Sequence, residues 1–159
     1  MRIAILTISD AGARGERPDG SGDVIAAWAA GRGDRVVDRM LVPDESGRIV
    51  PALLSWCDKD TADLVLTTGG TGLSPRDITP EATRTVIERE APGVAERIRV
   101  LSIETFPRAA LSRGVAGVRH RTLVINLPGS PGGVRDALIA VEPIIEHAVQ
   151  IVRGTPTDH

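Results

Sequence analysis

Apolar residues fall along this chain in short blocks parted by polar, glycine-rich stretches, and the blocks alternate between two periods. Arg2 to Ile8 is a continuous β-branched run, the pattern of a parallel strand buried on both faces. Asp10 to Gly22 is polar and too long for a tight turn, and loops of that length tend to be functional or mobile. Ser21 or Asp23 is placed to cap the next helix, on which Val24, Ile25, Trp28 and Ala29 share a face; Gly31 and Gly33 end it. Arg35 to Val42 alternates as a second strand, Pro43 to Gly47 is a turn, and a helix then carries Ile49, Leu53, Leu54 and Trp56. Pro51 fits that helix only if it lies in the first turn. Asp63 to Thr67 is a third strand, which feeds directly into Thr68-Gly69-Gly70-Thr71-Gly72.

Downstream, Thr79-Pro80-Glu81 reads as an N-cap, a proline at N1 and an acidic first turn, predicting a helix to about Glu90. A further helix is expected from Pro92 to about Thr105 and a loop from Phe106 to Arg113. Gly114 to Arg119 and Thr122 to Leu127 read as strands, and Val134 to Val152 as a terminal helix that kinks or breaks at Pro143. Strands alternating with helices predict a three-layer α/β sandwich with a mostly parallel central sheet. One domain over residues 1–159 is expected, with a short flexible tail from about 154. In such sheets ligands sit beyond the carboxyl ends of the strands. Here the loops near Ser9, Pro43, Thr68 and Pro128 leave those ends, all rich in Gly, Pro, Asp, Ser or Thr.

Composition narrows the choice of ligand. The 42% hydrophobic and 25% charged content is that of an ordinary globular chain. Trp28, Trp56 and Phe106 are the only aromatic residues, so the core must be aliphatic and base-stacking platforms are scarce. A net charge of −2 removes the electrostatic footprint of a general nucleic-acid binder. Cys57 is the only cysteine and reads as buried filler, which excludes an intrachain disulfide and a cysteine-rich metal site. The N-terminal apolar run is too short for a signal peptide or membrane span, so a cytoplasmic protein is expected.

Gly69, Gly70, Thr71 and Gly72 let a ligand approach the backbone and let successive amides face one concavity, which suits phosphate oxygens. No Gly-Lys-Ser/Thr follows, so the loop is not a Walker P-loop, and Pro75 stands where a dinucleotide fingerprint needs glycine. On the residues alone Asp77 reads equally as a helix cap or as a Mg²⁺ ligand beside Arg76, and Asp44 more readily as a turn residue. His120, His147 and His159 read as structural or solvated, and no Gly-x-Ser-x-Gly nucleophile elbow is present. Phosphoryl or nucleotidyl transfer asks for little more than positioning, charge neutralisation and a metal.

The stretch Leu66 to Glu81, with Thr67-Thr68-Gly69-Gly70-Thr71-Gly72 and Ser74-Pro75-Arg76-Asp77-Ile78-Thr79-Pro80-Glu81, closely resembles the signature of the molybdopterin-binding family. This is the Mog/MoaB type of molybdenum-cofactor biosynthesis, related to the G domains of gephyrin. Asp19-Gly20-Ser21-Gly22, Pro43-Asp44-Glu45, Leu111-Ser112-Arg113 and Asn126-Leu127-Pro128-Gly129-Ser130-Pro131 match its other motifs in order. The resemblance implies the molybdopterin-binding fold, usually trimeric and occasionally hexameric. It also implies Mg²⁺-dependent adenylylation of molybdopterin by ATP with release of pyrophosphate. Asp44 and Asp77 would then hold Mg²⁺, while Gly69 to Gly72, Ser74 and Arg76 would cradle phosphates. Ser112, Arg113, Asn126, Pro128 and Gly129 would line the pterin side, and Ser9, Asp10, Thr79, Glu81 and Ser130 would join the binding residues.

One departure stands out. Gly132-Gly133 occupy the place where many relatives carry a lysine, whose contact is absent or supplied by Arg135. The competing readings are a non-catalytic molybdopterin carrier of the MoaB type and a nucleotide hydrolase of the competence-damage type. The latter usually has an additional domain for which this chain has no room. Other proteins of cofactor biosynthesis are expected as partners, and nucleic acid and membrane are not.

Overall fold

In a computed structural model, which describes residues 1–156, thirteen segments follow in order: β1 (Arg2–Ile8), α1 (Asp10–Ala13), α2 (Gly20–Gly31), β2 (Arg35–Val42), α3 (Ser46–Asp58), β3 (Leu64–Thr68), α4 (Thr79–Val86), β4 (Arg89–Glu90), α5 (Pro92–Thr105), a 3₁₀ helix (Pro107–Leu111), β5 (Ala116–Arg119), β6 (Thr122–Leu127) and α6 (Pro131–Arg153). The strands form one sheet in the order β2-β1-β3-β6-β5-β4. The first four of these run parallel; at one edge β5 pairs antiparallel with β6, and β4 antiparallel with β5. The carboxyl ends of β1, β2, β3 and β6 therefore open on the same side, and the loops near Ser9, Pro43, Thr68 and Pro128 meet there.

The two-residue period of the strands divides the core. Ile3, Ile5, Leu64, Leu66, Leu123 and Ile125 pack against Ile25, Ala95, Ile98, Val134, Leu138 and Val141 of α2, α5 and α6. Ala4, Leu6, Val65 and Val124, on the opposite face, meet Ile49, Leu53, Trp56, Ala82 and Val86 of α3 and α4. These are the three expected layers. No helix among the described residues is long and apolar enough to cross a membrane.

Several boundaries differ from expectation. Asp10 to Gly22 is not continuous loop: it contains α1 and the start of α2, and the cap of α2 is Asp19, whose Oδ1 accepts from Gly22 N–H at 2.9 Å. Pro51 lies past the first turn of α3, and Pro143 lies within α6, which runs on unbroken to Arg153. In both cases the carbonyl that loses its partner belongs to an exposed residue, Gly47 or Ile139, at a surface position that solvent can reach. Ile78, not Thr79, is the N-cap residue of α4, and the helix stops at Val86 instead of Glu90. Glu88 and Ala91 donate to Val118 O at 2.9 Å and Ala116 O at 2.8 Å, so pairing with β5 wins this stretch for the sheet edge. The expected tail from about 154 is described only to Pro156, beyond the left-handed Gly154 that ends α6, and His159 lies outside the described residues.

Candidate active site

The glycine loop is held from three sides. Gly69 (φ 98°) and Gly70 (φ 64°) take left-handed conformations, and a Cβ on Gly69 would collide with the carbonyl oxygen of Ile8. Thr79 Oγ1 donates to Gly69 O at 2.9 Å, and Thr79 N–H donates to Gly70 O at 3.1 Å. Thr68 Oγ1 donates to Pro128 O at 2.6 Å, and Ser21 Oγ donates to Gly129 O at 2.8 Å, joining this loop and α2 to the proline-glycine loop after β6. With its carbonyls engaged in this way, the loop is a rigid concavity.

Asp44 and Asp77 stand on either side of it. Cβ atoms added to Gly70 and Gly72 would lie 2.9 Å from Asp44 Oδ1 and 2.8 Å from Asp77 Oδ2. Asp10 and Asp44 exchange bonds: Asp10 N–H donates to Asp44 Oδ2 at 3.0 Å, and Asp44 N–H donates to Asp10 Oδ1 at 3.0 Å. Arg76 grips Asp10 through Nε (3.0 Å) and Nη2 (2.8 Å), and this holds the Asp10 carboxyl below the usual range. Burial pushes Asp44 up; the Asp10 N–H opposes this, while the charges of Asp10 and Asp77 add to it. Asp77 Oδ2 accepts from Ser74 N–H at 2.9 Å.

Two clefts open along the carboxyl ends of the strands. One, of about 720 Å³, is lined by Ser9, Asp10, Arg17, Asp19, Ser21 and Asp44 among others. The other, of about 650 Å³, lies between the glycine loop, α5 and the start of α6, with Thr71, Gly72, Arg99, Ser102, Phe106, Arg108, Ser112 and Pro128 among its lining. Gly70, Asp77, Gly129 and Ser130 line both, so the clefts are two lobes with a shared junction. Ser130 caps α6 there, accepting from Gly133 N–H at 3.1 Å, and the helix presents its positive end to the junction.

Not every predicted residue faces a lobe. Thr79 and Asn126, 0% and 3% exposed, are braces: Asn126 Nδ2 donates to Thr67 Oγ1 and Thr83 Oγ1, both at 2.9 Å, and its Oδ1 accepts from Val115 N–H at 3.2 Å. Arg113 donates to Gly72 O at 2.8 Å and Asp77 O at 2.6 Å and pairs with Glu81, so both residues clamp the loop instead of lining a lobe. Ser74 and Arg76 are exposed at the rim. Arg135 lines a groove with Trp28, Leu138 and Pro143 away from both lobes, so it does not stand in for the loop lysine.

Ser102 carries no motif that marks it in the sequence. It is 7% exposed, lines the α5 lobe, and its Oγ has no hydrogen-bond partner. A buried hydroxyl without a partner is costly, and a ligand's polar atom would satisfy it. The available signal was a serine on the buried stripe of α5 that also carries Ala95 and Ile98. Arg99 and Arg108, the arginines of that lobe, are unmarked as well; Arg108 stacks on Phe106 at 5.0 Å.

The donor set near the junction fits a hard cation. Among the described residues no three His, Cys, Asp or Glu side chains enclose a metal by themselves. Two carboxylates flanking a phosphate cradle are nonetheless what Mg²⁺ uses, with phosphate oxygens and water filling its remaining positions. The upward push on Asp44 by its acidic neighbours is the repulsion such a cation would relieve.

The fold and this site define an α/β protein with two clefts that meet at a glycine loop beyond the carboxyl ends of its parallel strands. The chain belongs to the family described as "Probable molybdopterin binding domain", whose profile matches residues 4–147. It is 39% identical over 159 residues to the molybdopterin adenylyltransferase of Helicobacter pylori strain J99, covering 97% of this chain and 89% of that one. Against the enzyme of the same name from Escherichia coli K12 it is 38% identical over 144 residues, covering 89% and 74%. Among solved structures, the molybdopterin biosynthesis enzyme MoaB from Thermus thermophilus superposes with a TM-score of 0.92 at 52% identity, covering 99% of each chain.

Proposed function

We propose that the chain is a molybdopterin adenylyltransferase, which transfers the adenylyl group of ATP to the terminal phosphate of molybdopterin and releases pyrophosphate. The observation that carries this reading is the pair of lobes meeting at Gly70, Asp77, Gly129 and Ser130, because a two-substrate transfer needs its reacting phosphates at one junction. ATP would occupy the lobe of Asp44 and Ser9, and the pterin the lobe of Ser102 and Ser112.

The pterin phosphate is already ionised at neutral pH, so no protein base is required. Its oxygen attacks the α-phosphorus, the bond from that phosphorus to the bridging oxygen breaks, and the electron pair leaves with pyrophosphate. Asp44 and Asp77 would hold Mg²⁺, which when bound neutralises phosphate charge. The amides of Gly69 to Gly72 and of the α6 N-terminus donate to phosphate oxygens, and Ser102 Oγ orients the pterin. Arg113, Glu81, Thr79 and Asn126 keep the cradle in shape from behind.

We further propose a cytoplasmic, single-domain protein that assembles as a homotrimer, which light scattering would report. Exposed Val100, Leu101 and Ile103 on α5 support an assembly surface. The deciding assay combines protein, molybdopterin, Mg²⁺ and ATP and follows adenylylated pterin. Asp77→Asn is expected to lower kcat by about a hundredfold, and an unchanged rate would overturn the role of that carboxylate. Pterin binding without pyrophosphate release would assign the chain a carrier role instead.

A further inference from the structure

By charge alone the Asp44 lobe is a poor place for a triphosphate. Among the described residues its lining holds four carboxylates, Asp10, Asp19, Asp44 and Asp77, and a single cationic side chain, Arg17. Four other arginines nearby are engaged: Arg39 with Asp19 at 2.6 Å and Asp23 at 2.8 Å, Arg14 with Glu16 at 2.8 Å, Arg76 with Asp10 at 2.8 Å, and Arg113 with Glu81, while Arg48 lines a separate cleft beside Glu45. Arg17 has no carboxylate partner among the described residues. Its hydrogen bond, from Nη2 to Ser9 Oγ, is 3.4 Å long, at the weak limit. That hydroxyl is shared, since it also caps α1 by accepting from Gly12 N–H at 3.1 Å.

Position decides which phosphate it meets. Arg17 lines the Asp44 lobe but neither the other lobe nor the junction. The α-phosphorus must react at the junction, so a cation set back from it faces the rest of the nucleotide. A guanidinium there pairs with phosphate oxygens in preference to base or ribose.

We propose that Arg17 contacts the β- and γ-phosphates of the bound nucleoside triphosphate, exchanging its weak bond to Ser9 for the group that leaves as pyrophosphate. This rests on the reading of the Asp44 lobe as the ATP side.

The test is calorimetric titration of ATP, pyrophosphate and AMP, each with Mg²⁺, into wild type, Arg17→Ala, Arg17→Lys and, as a control on the same segment, Arg14→Ala. Arg17→Ala is expected to weaken ATP and pyrophosphate about tenfold and leave AMP unchanged, with Arg17→Lys intermediate and Arg14→Ala like wild type. Unchanged ATP and pyrophosphate affinities, or an equal loss for AMP, would overturn the proposal. Should Arg17→Ala not fold, Arg17→Gln carries the same comparison. Wild type that binds ATP and pyrophosphate but adenylylates no pterin would refute the transferase reading alone. Wild type that binds neither would refute both.

Discussion

Ser102 sits on α5 with its hydroxyl buried and unpartnered, in a lobe whose lining mixes apolar residues with Arg99, Arg108, Asp77, Asp136 and several hydroxyls. A residue selected for packing alone at this place would be alanine, because an unsatisfied hydroxyl only destabilises the free protein. Ser102→Ala is therefore expected to leave thermal stability unchanged or slightly raised. It should increase KM for the pterin about five- to tenfold, with KM for ATP unaffected. Steady-state kinetics with each substrate varied separately would reveal this split, and equal changes in the two KM values would contradict it. Asp10 and Asp44 work as a pair in the other lobe: each carboxylate accepts the other's backbone N–H, so the loops after β1 and β2 are joined by their functional residues.

Among the elements, α4 has an unusual duty. Its first turn reaches back through Thr79 to hold both carbonyls of the Gly69-Gly70 step, and Thr83, one turn on, donates to Thr79 O at 2.8 Å. Thr83 also accepts from Asn126, so β6, α4 and the glycine loop are parts of one buried polar network. Thr79→Val keeps the side-chain shape but leaves Gly69 O short of its donor. The expected cost is about 1–2 kcal/mol in chemical denaturation, together with a lower kcat from a loosened cradle. Stability and kcat both at the wild-type level would mean that Thr79 is not the brace. The motif reads in the sequence as a phosphate cradle followed by a helix capped at Thr79, whereas the N-cap residue is Ile78. Thr79 followed by proline and glutamate has the composition of an N-cap, and its hydroxyl was instead claimed by a carbonyl ten residues upstream.

Over the whole molecule, the site sets a limit on stability. Burial first, and the charges of Asp10 and Asp77 after it, raise the Asp44 carboxyl in the folded state above its unfolded value. Such a group contributes stability that is fully present below the unfolded pKa and lost as pH rises through the folded one. Asp44→Asn should accordingly melt a few degrees higher than wild type at neutral pH, with the gap closing in acid below the ordinary carboxylate range. Melting curves across that range would test this, and a variant less stable at neutral pH would refute it. The same variant should lose most of its transferase activity, an exchange of function for stability.

Chain-local physics was sufficient for the layers. The mostly apolar, fully buried segments within Arg2–Ile8, Leu64–Thr68 and Thr122–Leu127 need helices on both faces, and the glycines after β3 suit a left-handed turn packed closely on its neighbours. Local sequence also marked the strand-end loops, which the parallel pairing brings together on one side. It could not say that Arg89–Glu90 joins the sheet, because that stretch has helical neighbours and the deciding hydrogen bonds come from β5. Nor could it separate residues that line the lobes from those that brace them. Asn126, Thr79, Glu81 and Arg113 carry the chemistry of ligand contacts, and only the packing shows their polar atoms engaged by other groups of the chain. Ser102 and Arg17 were missed for the converse reason: a polar group's function here depends on its having no adequate partner, and a missing partner is a property of the assembled tertiary structure.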